Sequence, residues 1–318
     1  MGNADHLPGR RRFGWYRPTG GATFDLQILH DPLDEATWFE FRELTRVVEW
    51  LRPYIVDWLA LTADYETLRA AEQEIAADLS DMLLTGMITT LAGVDANAKA
   101  QRRLSNFLGA ASAFRDRAST RLAGEFGKNS EQRASFVAAT RHWFDASFAY
   151  RCLYQLRNYA QHHELPVSFV PIQADREPGG LMKARVELQL FPAKLAESDR
   201  ISGKVRVELR SLPNTPMDAV ALATNYMKAL RSLMALLIGF YVPRLSDMAH
   251  YAAALYRTLE IPHDAVPVVW EGDNPAGGPE SQRRAMMMGF DELERAWRLR
   301  DELHTDLAKG DGCGRVPP

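Results

Sequence analysis

Between Tyr154 and His163 the chain reads Tyr154-Gln155-Leu156-Arg157-Asn158-Tyr159-Ala160-Gln161-His162-His163, which gathers a guanidinium, carboxamides, phenols and imidazoles in one short segment. A guanidinium is permanently charged and can contact two phosphate oxygens at once. An imidazole exchanges a proton near neutral pH. Cleavage of RNA by its own 2′-hydroxyl needs such groups: a base for the hydroxyl proton, an acid for the leaving 5′-oxygen, and a cation beside the crowded phosphorus. On an ideal helix Asn158 and His162 lie about 40° apart and Tyr154 shares their face, whereas Arg157 and His162 diverge by about 140°. The length of the arginine, or unwinding of the last turn before Pro166, has to close that gap. A two-fold axis would help, because each of two copies could bring one His162 to a phosphate. Asn158 can fix the imidazole tautomer. Tyr154, Tyr159, Gln161 and His163 are candidates for holding substrate, since single-stranded RNA is commonly read by aromatic stacking.

Spacing alone is weak evidence. With 31 arginines and 8 histidines in 318 residues, about one Arg-x4-His match is expected by chance, and Arg244/His250, Arg257/His263 and Arg298/His304 are decoys at one residue more. The 157–162 match is set apart by the Asn directly after the Arg, the flanking aromatics and the basic surroundings. Leu156-Arg157-Asn158-Tyr159-Ala160-Gln161-His162 resembles the Arg-polar-x3-His signature of the HEPN superfamily (higher eukaryotes and prokaryotes nucleotide-binding). The resemblance extends over about residues 62–245, and only the six-residue motif in it is specific. It implies an α-helical bundle, commonly a homodimer, in which paired motifs form a metal-independent endoribonuclease site with Arg157 and His162 catalytic and Asn158 the associated polar residue. It further implies an RNA substrate, no cofactor, a 2′,3′-cyclic phosphate product and, for a toxin or defence effector, an antitoxin-type protein partner. The alternative expectation is a non-catalytic HEPN-like module that binds nucleotide, RNA or protein.

The same residues have a purely electrostatic reading, because cations near a helix C-terminus are favoured by about 0.3–1 kcal/mol. Other signals are weaker. In His162-His163-Glu164 adjacent side chains point about 100° apart on a helix, so no metal site is expected. Cys152, about 15 Å along a continuous helix from His162, reads as a small core residue and not as a nucleophile. Met286-Met287-Met288 reads as core filling, and the acidic residues from Asp31 to Glu43 complement a helix N-terminus. A Gly-rich phosphate loop and a Gly-x-Ser-x-Gly elbow are both missing.

The elements that must position these residues are mainly helical. Three- and four-residue spacing of apolar side chains predicts a helix through Trp38, Phe41, Leu44 and Leu51 that breaks near Pro53. A second opens near Thr62 or Asp64 and ends near Gly93, and a third spans about 101–126 with Gly127 as its stop. A fourth runs from Ser130 to about His163, a rod of about 45–50 Å. Alternation over Ala184, Val186, Leu188, Leu190 and again over Val205, Val207, Leu209 predicts a β-hairpin at about 182–210. Helix returns after Asn214 and runs to Pro243, then to Leu259. The fold expected is a mainly α helical bundle with long antiparallel helices and an inserted hairpin. Its domain covers 23–261, flanked by a mobile tail at 1–22, a linker at 262–280, a C-terminal helix at 281–309 and a mobile tail at 310–318.

A formal charge of −3 excludes a uniformly polyanion-coating protein, and two cysteines exclude a disulfide framework. With no apolar leader, and a longest apolar run of about ten residues at Leu233–Val242 against the roughly 20 a bilayer needs, a cytoplasmic location without a membrane span is expected. Charge is uneven, however: residues 31–98 carry four basic and fourteen acidic side chains, and 100–163 ten basic and four acidic. Either the two segments pair inside one fold, or part of the basic surface is open to phosphates.

Overall fold

The computed structural model describes residues 11–20, 23–29, 31–86, 90–160, 167–169, 172–176, 182–213, 215–271, 284–287 and 289–309. In chain order the elements are β1 (Arg11–Gly20), β2 (Thr23–Ile28), α1 (Glu35–Thr85), α2 (Thr90–Glu125), α3 (Glu131–Ala146), α4 (Phe148–Ala160), β3 (Val167–Phe169), β4 (Ile172–Arg176), β5 (Met182–Val186), β6 (Gln189–Leu190), α5 (Pro192–Glu197), α6 (Gly203–Ser211), β7 (Met217–Asp218), α7 (Ala219–Thr258), β8 (Val266–Glu271), β9 (Arg284–Met287) and α8 (Phe290–Lys309). The protein is mainly α with small antiparallel sheets.

The expected single domain at 23–261 is divided between two compact units, residues 1–53 with 238–302, and residues 54–237 with 303–318. In the first, an antiparallel sheet of order β2-β1-β8-β9 carries Phe13 and Val269 into a cluster with Phe41 and Leu255. The sheet revises three expectations. Residues 11–20 of the expected tail form its central strand, residues 266–271 of the expected linker form β8, and residues 284–287 of the expected C-terminal helix form β9. Short runs such as Val266-Pro267-Val268-Val269-Trp270 signal a strand only once a partner supplies the ladder, and here β1 does so over Arg11–Tyr16. Residues 1–10, 272–283 and 310–318 lie outside the described residues.

In the second unit α1 and α2 form an antiparallel hairpin. Buried positions on α1 recur as Tyr54, Trp58, Leu61, Tyr65, Leu68, Ile75 and Leu79, and on α2 as Ala100, Leu104, Phe107, Ala111, Phe114, Ala118 and Leu122. This three-four alternation lays one continuous apolar seam along each helix. Trp58 meets Phe114 and Tyr65 meets Phe107, with ring centroids 5.7 and 5.9 Å apart. The flanking charges follow the same register. Asp57 accepts from Arg117 at 2.8 Å and Arg121 at 2.5 Å, Glu74 pairs with Arg103 at 3.3 Å, and Asp78 pairs with Lys99 at 3.0 Å. Three acidic residues of α1 are thus paired with four basic residues of α2 within this hairpin.

Helix boundaries depart from expectation in several places: no helix opens at Thr62 or Asp64, which lie inside α1, α2 begins at Thr90, and α7 runs unbroken through Pro243. α1 continues through Pro53, because Leu51 and Tyr54 on either side of it are fully buried, and such burial offsets the roughly 3 kcal/mol that an interior proline costs. The stop is Gly86, whose φ of +67° is open to a residue without Cβ; Gly93 lies inside α2. The rod expected from Ser130 is two helices of 16 and 13 residues, about 24 and 20 Å long. Ser130 does cap the first of them, accepting from the Arg133 N–H, and Gly127 precedes it with φ +100°.

The hairpin also forms differently. Ala184, Val186, Leu188 and Leu190 are buried while Lys183, Arg185 and Glu187 are exposed, as alternation requires. Yet β5 pairs with β4, and β6 joins β3 and β7. Two α1 side chains hold this segment: Ser80 Oγ accepts from the Ala184 N–H at 2.9 Å and Glu72 from the Leu188 N–H at 2.8 Å. Burial pushes the Glu72 carboxyl up from its ordinary value against that hydrogen bond. The expected second strand, 205–209, is helix α6. Val205 and Leu209, four apart, satisfy both periods; Val207 decides, and it is 65% exposed.

Among the described residues α7 is the helix long and apolar enough, by length and composition, to cross a membrane, although the expectation from the short run at Leu233–Val242 was of no span. Of its most apolar stretch 44% is packed inside the protein, and Leu230, Leu233, Met234, Leu237 and Ile238 are fully buried.

Two stability measurements follow. Asp replacing Val205 should cost more than about 2 kcal/mol in urea unfolding, while Val207→Asp should stay within about 0.5 kcal/mol; equal losses would instead favour a strand. Asp57→Asn should cost about 2 kcal/mol, below the 3–5 of a fully buried pair because Arg117 is 60% exposed.

Candidate functional site at the end of α4

α4 begins where α3 stops. At Ser147 the backbone turns extended, its N–H closes α3 on the Trp143 carbonyl, and its Oγ accepts from the Tyr150 N–H at 3.2 Å to open α4. The break strands the last carbonyls of α3. Arg151 satisfies two of them, donating to Phe144 O at 2.7 Å and Asp145 O at 2.6 Å, and turns its other nitrogens to Glu208 on α6 at 3.0 and 3.1 Å. Sequence reasoning passed over Arg151, which fills the structural role of a cation at a helix end.

One turn further, Tyr154 stands over Arg115 of α2, whose guanidinium carbon is 4.1 Å from the ring centroid. Phe144 meets the same ring at 5.9 Å and 88°. Arg115 is 9% exposed. Its Nε and Nη2 donate to Asp116 at 3.4 and 3.2 Å, and Ser112 also donates to Asp116. Beneath Tyr154, the Tyr150 ring packs edge-on to Tyr226 at 5.0 Å. Arg115 Nη1 and the Tyr150 hydroxyl are both buried, and the two side chains interact with each other short of a well-aligned hydrogen bond. Burial pushes the Tyr150 phenol up, and the nearby Arg115 charge partly opposes it. Burial also works against the Arg115 charge, but Tyr226, Tyr150 and Asp116 outweigh it and the guanidinium stays above its ordinary value.

Arg157 and Asn158 occupy the last turn of α4, the first half-buried and the second exposed, and the Arg157 Nη1 donates to Asn158 Oδ1 at 3.3 Å. Tyr154 and Tyr159 are half-buried on the same helix. Gln161, His162 and His163 lie outside the described residues, so the structure brings together Tyr154, Arg157, Asn158 and Tyr159 from the motif. Cys152 is buried and its thiol is pushed up to about 12 by burial, as a core residue would be. Among the described residues no three His, Cys, Asp or Glu side chains gather as a metal would require.

Arg115 was missed by sequence reasoning, though a signal exists: it lies four residues after Ala111 and three before Ala118, on the buried stripe of α2, where a charge needs a reason. Comparison with family models, with curated proteins and with solved structures gives no match for this chain.

The two arginines of α4 should separate in stability measurements. Arg151→Met leaves Glu208 and two carbonyls without their donor and should cost about 3 kcal/mol. Arg157→Met should cost less than about 1 kcal/mol if its contribution to the fold is a helix-end charge.

Proposed function

We propose that the protein is a metal-independent, HEPN-like endoribonuclease that acts as a homodimer in the cytoplasm, with Arg157, Asn158 and His162 forming its site. The observation that carries this reading is the pairing of the half-buried Arg157 guanidinium with the exposed Asn158 carboxamide in the last turn of α4, next in sequence to the segment bearing His162. Asn158 holds one guanidinium nitrogen in place, and a guanidinium so oriented is suited to meet a phosphate in a bidentate manner. The RNA 2′-oxygen attacks phosphorus as one His162 takes its proton; the bond to the 5′-oxygen breaks as the His162 of the second protomer protonates that oxygen, leaving a 2′,3′-cyclic phosphate. Arg157 stabilises the extra negative charge on the phosphorane. Tyr154 and Tyr159, with Gln161 and His163, lie on the same segment and are suited to contact the ribose or a base.

A second reading, a non-catalytic binding module, is favoured by the position of Arg157 in the last turn of α4, where the helix dipole alone welcomes a cation. A toxin or defence role with an antitoxin-type partner remains an extension of the first reading.

The test is incubation of the purified protein with single-stranded RNA in the presence of a chelator. The expected result is cleavage that the chelator leaves intact, with a cyclic phosphate end, falling about 10²–10⁴-fold in Arg157→Ala and His162→Ala. Cleavage by the two variants at the wild-type rate would sink the mechanism, and RNA binding without cleavage by the intact protein would favour the module.

A further inference from the structure

We propose that Arg115 is a positioning residue of the site at the end of α4, acting through Tyr154. The inference rests on the ribonuclease reading for its catalytic consequence and on the geometry for the rest. Three observations lead to it. The Arg115 guanidinium lies against the Tyr154 ring at 4.1 Å, a distance at which a cation is held by the ring quadrupole. A desolvated charge is otherwise costly; among the described residues the carboxylate that engages it, Asp116 at Nε and Nη2, is its chain neighbour, and its other polar contact is the buried Tyr150 hydroxyl of α4, short of a well-aligned hydrogen bond. Arg151 spends its donors on Glu208 and two carbonyls, whereas Arg115 reaches beyond its own helix through the Tyr150 and Tyr154 rings of α4.

Tyr154 transmits the contact. It is four residues before Asn158 and three before Arg157, so the three share one side of α4, and that helix packs on α2 and α3. With Arg115 on one face and Phe144 against the same ring, Tyr154 cannot turn without moving its neighbours. The final turn of α4 is thereby registered against α2. One ring face is also occupied by the guanidinium. Tyr154 therefore has only its hydroxyl and remaining surface for a substrate and cannot be sandwiched between two bases.

The experiment compares Arg115→Met, which keeps the stem and removes the charge, with Arg115→Lys, which keeps a cation over the ring. In the full-length protein, well below the melting temperature, Arg115→Met should lower kcat for single-stranded RNA at least tenfold with KM within twofold of wild type. It should also speed amide hydrogen exchange over residues 153–160 at least tenfold relative to α3, and Arg115→Lys should recover most of both losses. Unchanged exchange at the end of α4 in Arg115→Met would overturn the proposal. So would a uniform rise across α3 and α4 that Arg115→Lys reproduces, since that is loss of stability alone. If Arg115→Met does not fold, Tyr154→Leu removes the other half of the contact and should give the same local exchange and kcat effects; wild-type values there overturn the proposal. A wild-type protein that leaves RNA intact defeats the ribonuclease reading, while the exchange comparison still decides whether Arg115 holds α4.

Discussion

The registration of α1 against α2 is the constraint on which the second unit depends. Burial of large side chains such as Trp58, Tyr65, Phe107 and Phe114 supplies most of the attraction, but an apolar seam alone tolerates sliding by a heptad. The charges do not. Asp57 between Arg117 and Arg121, Glu74 beside Arg103, and Asp78 beside Lys99 are satisfied together at one offset, and a slip of seven residues would break these pairs, in one direction setting Asp57 opposite Ala110 and Phe114. Exposed ion pairs contribute little to stability; their effect here is to select among alignments of similar apolar burial.

That offset carries through to the site. It fixes where Arg115 stands on α2, and Arg115 meets Tyr154 on α4. The break at Ser147 matters for the same reason. A continuous rod would have given α4 the direction of α3; a separate helix opened by Ser147 and tied by Arg151 to Glu208 can adopt its own direction against α2. The segment from Tyr154 to Asn158 thus owes its placement to two buried arginines, one at each end of the first two turns of α4.

The charge asymmetry shows how one sequence fact supports two physical readings. Counting alone leaves the basic segment either paired or open to phosphates. The structure assigns Arg103, Arg117 and Arg121 to acidic partners on α1 and Arg151 to Glu208, so they do not form a free phosphate surface. Arg102, Lys128 and Arg141 are exposed, and Arg157 lies half-buried in the last turn of α4 beside Asn158. A basic character restricted to a few positions suits contact at one phosphate better than wrapping of a long polyanion.

The sequence by itself determined the mainly α class, the apolar seams, the stop at Gly127, the cap at Ser130, the alternating burial over 184–190 and the motif that draws attention to Arg157 and Asn158. These are written in local periodicity and in single residues with strong backbone preferences. Only tertiary structure decided the rest. Whether Pro53 breaks α1 depends on the burial of Leu51 and Tyr54. Whether 205–209 is strand or helix depends on what covers Val205 and Leu209 and leaves Val207 exposed. Whether 11–20 and 266–271 are ordered depends on each finding the other as a ladder partner. The Arg115–Tyr154 contact joins positions 39 residues apart, and no local pattern encodes it. A chain segment states which face it would bury, but the partner that covers that face is supplied from elsewhere, and the free energy of that pairing outweighs local preference.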